Sequence, residues 1–467
     1  MSGLQTLNGQ IKNPRSRVFR KLLIKRRALG TGLYEDDWQD ISDDVIRWGN
    51  IRKEVDSTRV NQFKFSNMQL VLNNDTGKFN PSSDENSFWF GYGDQQRTLV
   101  KVLGGFLYEV QGEDGVWAQV PIPHSAEWDV SYWDADGNWD TESVLYSGYI
   151  SGDINLVGNN QINIPVVPLT ECFRQFAASR LTGYNNSLTA SDFMFMLRDQ
   201  QDSLGNYIFR PFFGDTTGNW DITTTTVEYV NLNTATAEDI TNLTTWDVVT
   251  KLAEAENYVP LVTTDGKFKF IPRDNATATV YDFYGPGGFS SEYGRTIKKV
   301  NFYGKRFTKY YSRVTVKYRE ADTSTSYETV DSQYRVSGDS GPWTLGERTL
   351  AIENNWIPTA TAAESIAQEL FDEYSAIKFE IDFSTSFVPQ LDVFDRVNVT
   401  YDQSPITNNS LWDVYNWGGD TAGAADLQDL VWDDSGGDAI KLLNEEFKLI
   451  SVDINLDSCE CKFIGRK

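Results

Sequence analysis

The chain has 467 residues, a formal charge of -24, one histidine and three cysteines. That length supports two to four domains with real cores, so disulfide staples are not required. A body this anionic repels phosphate, which argues against specific nucleic-acid binding by counterion release. No run approaches the roughly 18 apolar residues of a membrane helix, and the basic start lacks the apolar core of a secretory signal. Synthesis in a reducing cytosol, without stable membrane insertion, is expected.

The first 30 residues carry Lys12, Arg15, Arg17, Arg20, Lys21, Lys25, Arg26 and Arg27 and no acid. Residues 1–16 read as a basic arm. Val18, Leu22 and Ile24 are spaced among the charges of Arg17 to Lys25, which predicts a first strand with a positive edge; a partner-binding tail is the alternative. Phe63 and Phe65, then Met68, Leu70 and Leu72, keep period-2 alternation around a Ser66-Asn67 interruption that reads as a bulge. Val100 and Val102 repeat the pattern after a Gly- and aromatic-rich loop at 88–93. Tyr146 to Gly152, then Ile162, Ile164 and Val166, supply two more strands joined by a Gly158-Asn159-Asn160 turn, and this β unit closes near Pro168.

Thr170 reads as an N-cap, with Phe173, Phe176 and Ala177 at helical spacing behind it. Thr244 and Asp247 form a capping-box start for a helix whose Trp246, Val249 and Ala253 share a face. Leu261-Val262, the Asp265-Gly266 turn, and Phe268 with Phe270 read as a hairpin. After the 285–288 loop a second β unit begins near Asn301, with strands at Val314–Tyr318, Phe379–Phe387, Val397–Tyr401 and Val452–Leu456. Within it Thr361 and Glu364 predict the capped start of a helix through Tyr374. Residues 408–438, rich in Gly and Asp and carrying Trp412, Trp417 and Trp432, read as a long surface insertion.

Residues capable of chemistry do not converge. His124 follows Pro121-Ile122-Pro123 in an extended or turn context, with no local nucleophile or orienting acid. Asp134, Asp136 and Asp140 around Gly137 are raw material for a Ca2+ loop, although the spacing departs from the EF-hand and a hairpin turn is the competing reading. Cys172, Cys459 and Cys461 with one histidine match no zinc pattern. Aromatic and acidic loops raise sugar binding or glycoside hydrolysis, yet in so acidic a chain their co-occurrence discriminates little. A non-enzyme with no cofactor is expected.

The order of the motifs resembles one family. Trp38 to Val45 running into Met68 to Pro81, the helix and hairpin spanning Thr245 to Arg273, and Leu391 to Val397 followed by Phe447 to Ile454 are similar to the hub and minor tail proteins of phage baseplates and tail tips. Some tail-tip relatives carry an iron-sulfur cluster on C-terminal cysteines; four thiolates are wanted there, and here only Cys459 and Cys461 are close in sequence. The resemblance covers about 30–467 and implies a mainly β fold with an α+β insertion. It places a first tube-like β-barrel domain at 17–169, a mixed helix and hairpin domain at 170–300, and a second tube-like β domain at 301–467 with a surface insertion near 405–440. It further implies a homotrimeric structural virion protein, assembled in the host cytoplasm, whose six barrels continue or close the distal tail tube and form part of the DNA ejection conduit. Partners implied are a distal tail protein or tail tube above, a spike, fibre or receptor-binding proteins below, and a tape measure protein in the lumen. The competing function is a tail adaptor for receptor-binding proteins whose aromatic loops bind host glycans. An acidic conduit wall suits DNA that must slide without sticking, and a merely solvated acidic surface explains the same charge.

Overall fold

A computed structural model describes residues 17–28, 31–55, 63–80, 85–92, 97–111, 117–121, 143–156, 160–181, 188–203, 205–214, 217–226, 228–229, 242–273, 278–285, 296–306, 311–318, 328–332, 348–354, 356–357, 359–374, 378–402 and 441–467. The chain is mainly β, as the alternating apolar pattern predicts.

In chain order, the first part contributes β1 (Arg17–Lys25), β2 (Gln39–Asp40), β3 (Val45–Arg47), β4 (Asn50–Val55), β5 (Phe63–Phe65), β6 (Met68–Asn73), β7 (Leu99–Gln111), β8 (Trp117–Pro121), β9 (Ser143–Ile150), β10 (Asn155–Leu156) and β11 (Gln161–Pro168). One sheet runs in the order β2-β1-β7-β9-β11-β6-β3. Its two end strands are separated by only residues 41–44, so the sheet curls until its ends lie within that short span of each other. Leu22, Ile24, Leu70, Leu72, Val102 and Ile164 fill the curl, each fully buried. Lys21 and Lys25 alternate with the buried Leu22 and Ile24, and Arg20, on the face of those two, lies over the Trp48 ring with its Cζ 5.3 Å from the centroid, which is how so basic a segment serves as a strand of the core sheet.

The middle part holds α1 (Glu171–Gln175), β12 (Leu188–Thr189), α2 (Ala190–Asp199), α3 (Arg210–Phe213), β13 (Trp220–Ile222), β14 (Glu228–Tyr229), α4 (Thr245–Glu256), β15 (Tyr258–Val262) and β16 (Phe268–Pro272). The capping box of α4 forms as expected: Asp247 N–H donates to Thr244 Oγ1 at 3.2 Å, and Thr244 N–H to Asp247 Oδ2 at 2.9 Å. Thr170, in contrast, makes no side-chain cap on the short α1. A second capping box, Thr189 with Asp192, starts α2. The hairpin of β15 and β16 is buried on both faces: Val259 and Leu261 join the core of the curled sheets, and Val262, Phe268 and Phe270 join a separate helical core around Phe173 and Trp246.

The last part comprises β17 (Thr279–Tyr284), β18 (Ile297–Arg306), β19 (Arg313–Tyr318), β20 (Glu328–Ser332), β21 (Thr349–Glu353), α5 (Ala360–Tyr374), β22 (Lys378–Ser386), β23 (Arg396–Asp402), β24 (Lys441–Asn455) and β25 (Glu460–Arg466). A second sheet follows the path β17-β23-β24-β25-β22-β18. Its ends meet: Thr296 N–H donates to Tyr284 O at 2.9 Å and Ser386 N–H to Thr296 O at 3.1 Å. Inside, Phe283, Phe383 and Phe463 pack ring against ring, with centroids 5.0–5.6 Å apart. Thr359, not Thr361, caps α5, accepting from Ala362 N–H at 3.2 Å, because the helix begins two residues earlier than its Thr-x-x-Glu spacing suggests.

Two stretches pack against parts of the chain distant in sequence. β4 leaves the first sheet and pairs with β24 of the second, from Asn50↔Asn455 to Glu54↔Ser451, carrying β5 with it. Ser66-Asn67 is therefore the point where the chain passes back between sheets rather than a bulge, and Ser66 N–H donates to Arg52 O at 2.8 Å to close the hairpin. The three-stranded sheet β20-β19-β21 and α5 pack onto the helical core of the middle part, through Val314, Val316, Ile366 and Leu370. One hydrophobic cluster runs unbroken through both curled sheets.

Candidate functional site

His124 and the Ca2+ candidates Asp134, Asp136 and Asp140 lie outside the described residues, between β8 and β9, as do Trp412, Trp417 and Trp432, between β23 and β24. All three cysteines are free. Cys172 is buried in the helical core and burial holds its thiol well above the usual range. Cys461 is buried among the strands, where its Sγ accepts from Val388 N–H at 3.3 Å and burial pushes its pKa up to about 12. Burial raises Cys459 as well. Thiols shifted in this direction are poor nucleophiles and poor ligands at neutral pH. Among the described residues no group of three or more His, Cys, Asp or Glu could hold a metal ion, and no helix is long and apolar enough to cross a membrane.

Charge concentrates instead at the junction of the three parts. On β4, Ile51, Lys53 and Val55 share one face, which turns Lys53 into the interior with no exposed surface. Its Nζ lies 2.9 Å from Asp392 Oδ1 but off the direction of a hydrogen bond, and 5.4 Å from the Phe65 ring centroid. Asp392 sits in the turn entering β23, where its N–H donates to Asp395 Oδ2 at 2.7 Å. Burial pushes the Asp395 carboxyl up to about 6; Asp392 adds to the rise, and the Asp392 N–H bond, Lys53 and Lys269 oppose it.

A group with this shift has a definite pH signature. Unfolded, Asp395 loses its proton near 3.8, and folded near 6, so between those values the folded chain binds more protons and stability falls as pH rises. The full penalty, present above about pH 6 and absent below about pH 4, is about 3 kcal/mol. In urea unfolding, Asp395→Asn is therefore expected to gain on the parent by that amount between pH 4 and pH 7. A difference that stays flat with pH contradicts the assignment.

Beside this cluster opens a cleft of about 860 Å³. Val55, Phe394 and Ile450 give it an apolar patch. One wall, from the ends of α4 and α5, presents Glu256, Glu369, Asp372 and Glu373. Three of these acids fall in the last two turns of α5, where the helix macrodipole disfavours negative charge and no basic residue offsets it within the last turn. The opposite wall, from β22 to β25, carries Lys378, Arg396, Lys448, Arg466 and Lys467; Arg396 pairs with Glu446 at 2.7 Å, Arg466 with Glu380 at 2.7 Å and Lys467 with Glu445, so the wall keeps a smaller net positive charge. At the base, Arg273 pairs with Glu373 at 2.6 Å and donates to Tyr374 Oη at 2.8 Å, while Lys448 Nζ reaches Arg273 O at 3.3 Å. Fixed ion pairs hold several of its side chains in place.

No protein-family model and no curated sequence matches the chain. Solved structures similar to it include tail proteins. The tail protein from Neisseria meningitidis MC58 aligns over 96% of this chain and 96% of that one, at 9% identity and a TM-score of 0.47. The 43 kDa tail protein of prophage MuSo2 from Shewanella oneidensis covers 96% and 98%, at 13% identity and a TM-score of 0.45. Prophage tail protein gp18 from Listeria monocytogenes EGD-e covers 96% and 94%, at 8% identity and a TM-score of 0.42.

Proposed function

We propose that the chain is a structural protein of a phage-type tail, a tail-tip or baseplate hub that assembles as a homotrimer and continues or closes the distal tube. The observation that carries this reading is the twin construction: two curled sheets, tied by an exchanged strand and one continuous core. Paired curls of this kind let three copies present six similar modules around an axis, which matches a threefold part to a sixfold tube. A shared core makes the pair rigid, as a coupling element under load requires. The acidic balance suits a passage for DNA, and the motif order at 38–81, 245–273 and 391–454 supports the same family reading. Within this reading the tube ring lies on one side and spike, fibre or receptor-binding proteins on the other, and the particle is the site of action.

Multi-angle light scattering of the purified full chain tests the stoichiometry. The expected molar mass is three times the 52.9 kDa chain, and a monomer at micromolar concentration speaks against the hub.

A further inference from the structure

We propose that the cleft between α5 and the second curled sheet receives an amphipathic helix from a partner protein, laid with its apolar stripe on Ile450 and Phe394 and with flanks of opposite charge against the two walls. The cleft makes three different demands at once: an apolar surface, an acidic wall and a basic wall. A strand offers only two faces and cannot meet three demands. A helix distributes side chains around its axis and can carry an apolar stripe with basic residues on one side and acidic residues on the other. Size agrees, since a helical cylinder about 10 Å across and 5.4 Å per turn occupies on the order of 400 Å³ per turn, so the 860 Å³ cleft holds about two turns.

The acids on α5 point the same way. Glu369 and Asp372 are exposed and, with Glu373, lie three and four residues apart on one helical face beside the C-terminus, a placement that costs the isolated helix stability. Incoming lysines or arginines would offset that cost and gain from it. This inference does not depend on the chain forming a ring, so the two readings fail separately.

The test uses the full chain and fluorescein-labelled synthetic 14-residue helices with one leucine stripe. One peptide has lysines on one flank and glutamates on the other, a second has lysines on both, and a third has glutamates on both. By fluorescence anisotropy the mixed peptide is expected to bind at least 10-fold tighter than either single-sign peptide. In the double variant Glu369→Lys, Asp372→Lys the acidic wall keeps only Glu256 and Glu373, matched by the two new lysines, and the all-glutamate peptide is expected to overtake the all-lysine peptide, a gain that misfolding cannot produce. Equal binding of the three peptides, binding of none, or a ranking unchanged in the variant overturns the proposal. A variant that alters only self-association, with no peptide bound, overturns it in favour of a second copy as occupant.

Discussion

Lys53→Ala is expected to lower the stability of the full chain by about 3–5 kcal/mol in urea unfolding, among the largest effects of any single substitution. Lys53 has no exposed surface and is the cation that faces both Asp392 and Asp395 from β4. Its removal leaves two carboxyls crowded in one turn and opens a void against Phe65. The loss falls where β4 crosses from one curled sheet to the other, so the coupling between sheets weakens along with the fold. Lys53→Met keeps the volume and isolates the charge: alone it is expected to destabilise, and combined with Asp392→Asn and Asp395→Asn to recover most of the loss, because a buried ion cluster replaced as a whole is close to neutral. Equal stability of parent and Lys53→Ala removes the cluster from any structural role.

Gly148→Ala is expected to cost about 3 kcal/mol or more. A Cβ at Gly148 would lie 2.3 Å from Val167 O on β11 and 2.6 Å from Tyr146 Cε1, and a backbone carbonyl in a sheet cannot step aside. Tyr146 is itself fixed, fully buried with its ring edge-on to Phe65 at 4.8 Å. Gly91→Ala is the control. Gly91 has φ +78° and open space around it, so its substitution meets only the left-handed backbone penalty of about 1 kcal/mol. Thermal unfolding that ranks Gly91→Ala above Gly148→Ala in damage contradicts the close approach of β9 and β11.

The strands were legible because half-buried sheets impose alternation on the residues that form them: Leu22 and Ile24, Leu70 and Leu72, Ile381 and Phe383, and Val452 and Ile454 all carry that mark. Turn chemistry was legible where it is local, as at Asp265-Gly266, whose glycine has φ +86°, and at the Thr244 cap. Partnership between strands was not. Nothing local distinguishes Ser66-Asn67 as a bulge from Ser66-Asn67 as a crossing, because the difference lies in which strands β5 and β6 pair with, the latter far along the chain. The helix at 360–374 likewise gives a clear amphipathic pattern without saying that its apolar face meets the middle core.

The charged junction carries one signal in the sequence. Ile51-x-Lys53-x-Val55 places a lysine on an apolar face, and a lysine there must find a buried acid or lose its charge. The Asp-x-x-Asp spacing of the Leu391 to Val397 segment, which lets Asp395 accept from the Asp392 backbone, carries physical content of its own. The cleft walls come from β22 to β25 and from α4 and α5, elements up to about 200 residues apart, so only the fold brings them together.

Cryo-electron microscopy of the assembled particle tests the central claim most directly. The account predicts three copies of this chain around the tail axis, their six curled sheets forming one ring about an open or plugged centre. A map that places the chain as a single copy on the periphery, with no curled sheet facing the axis, contradicts it.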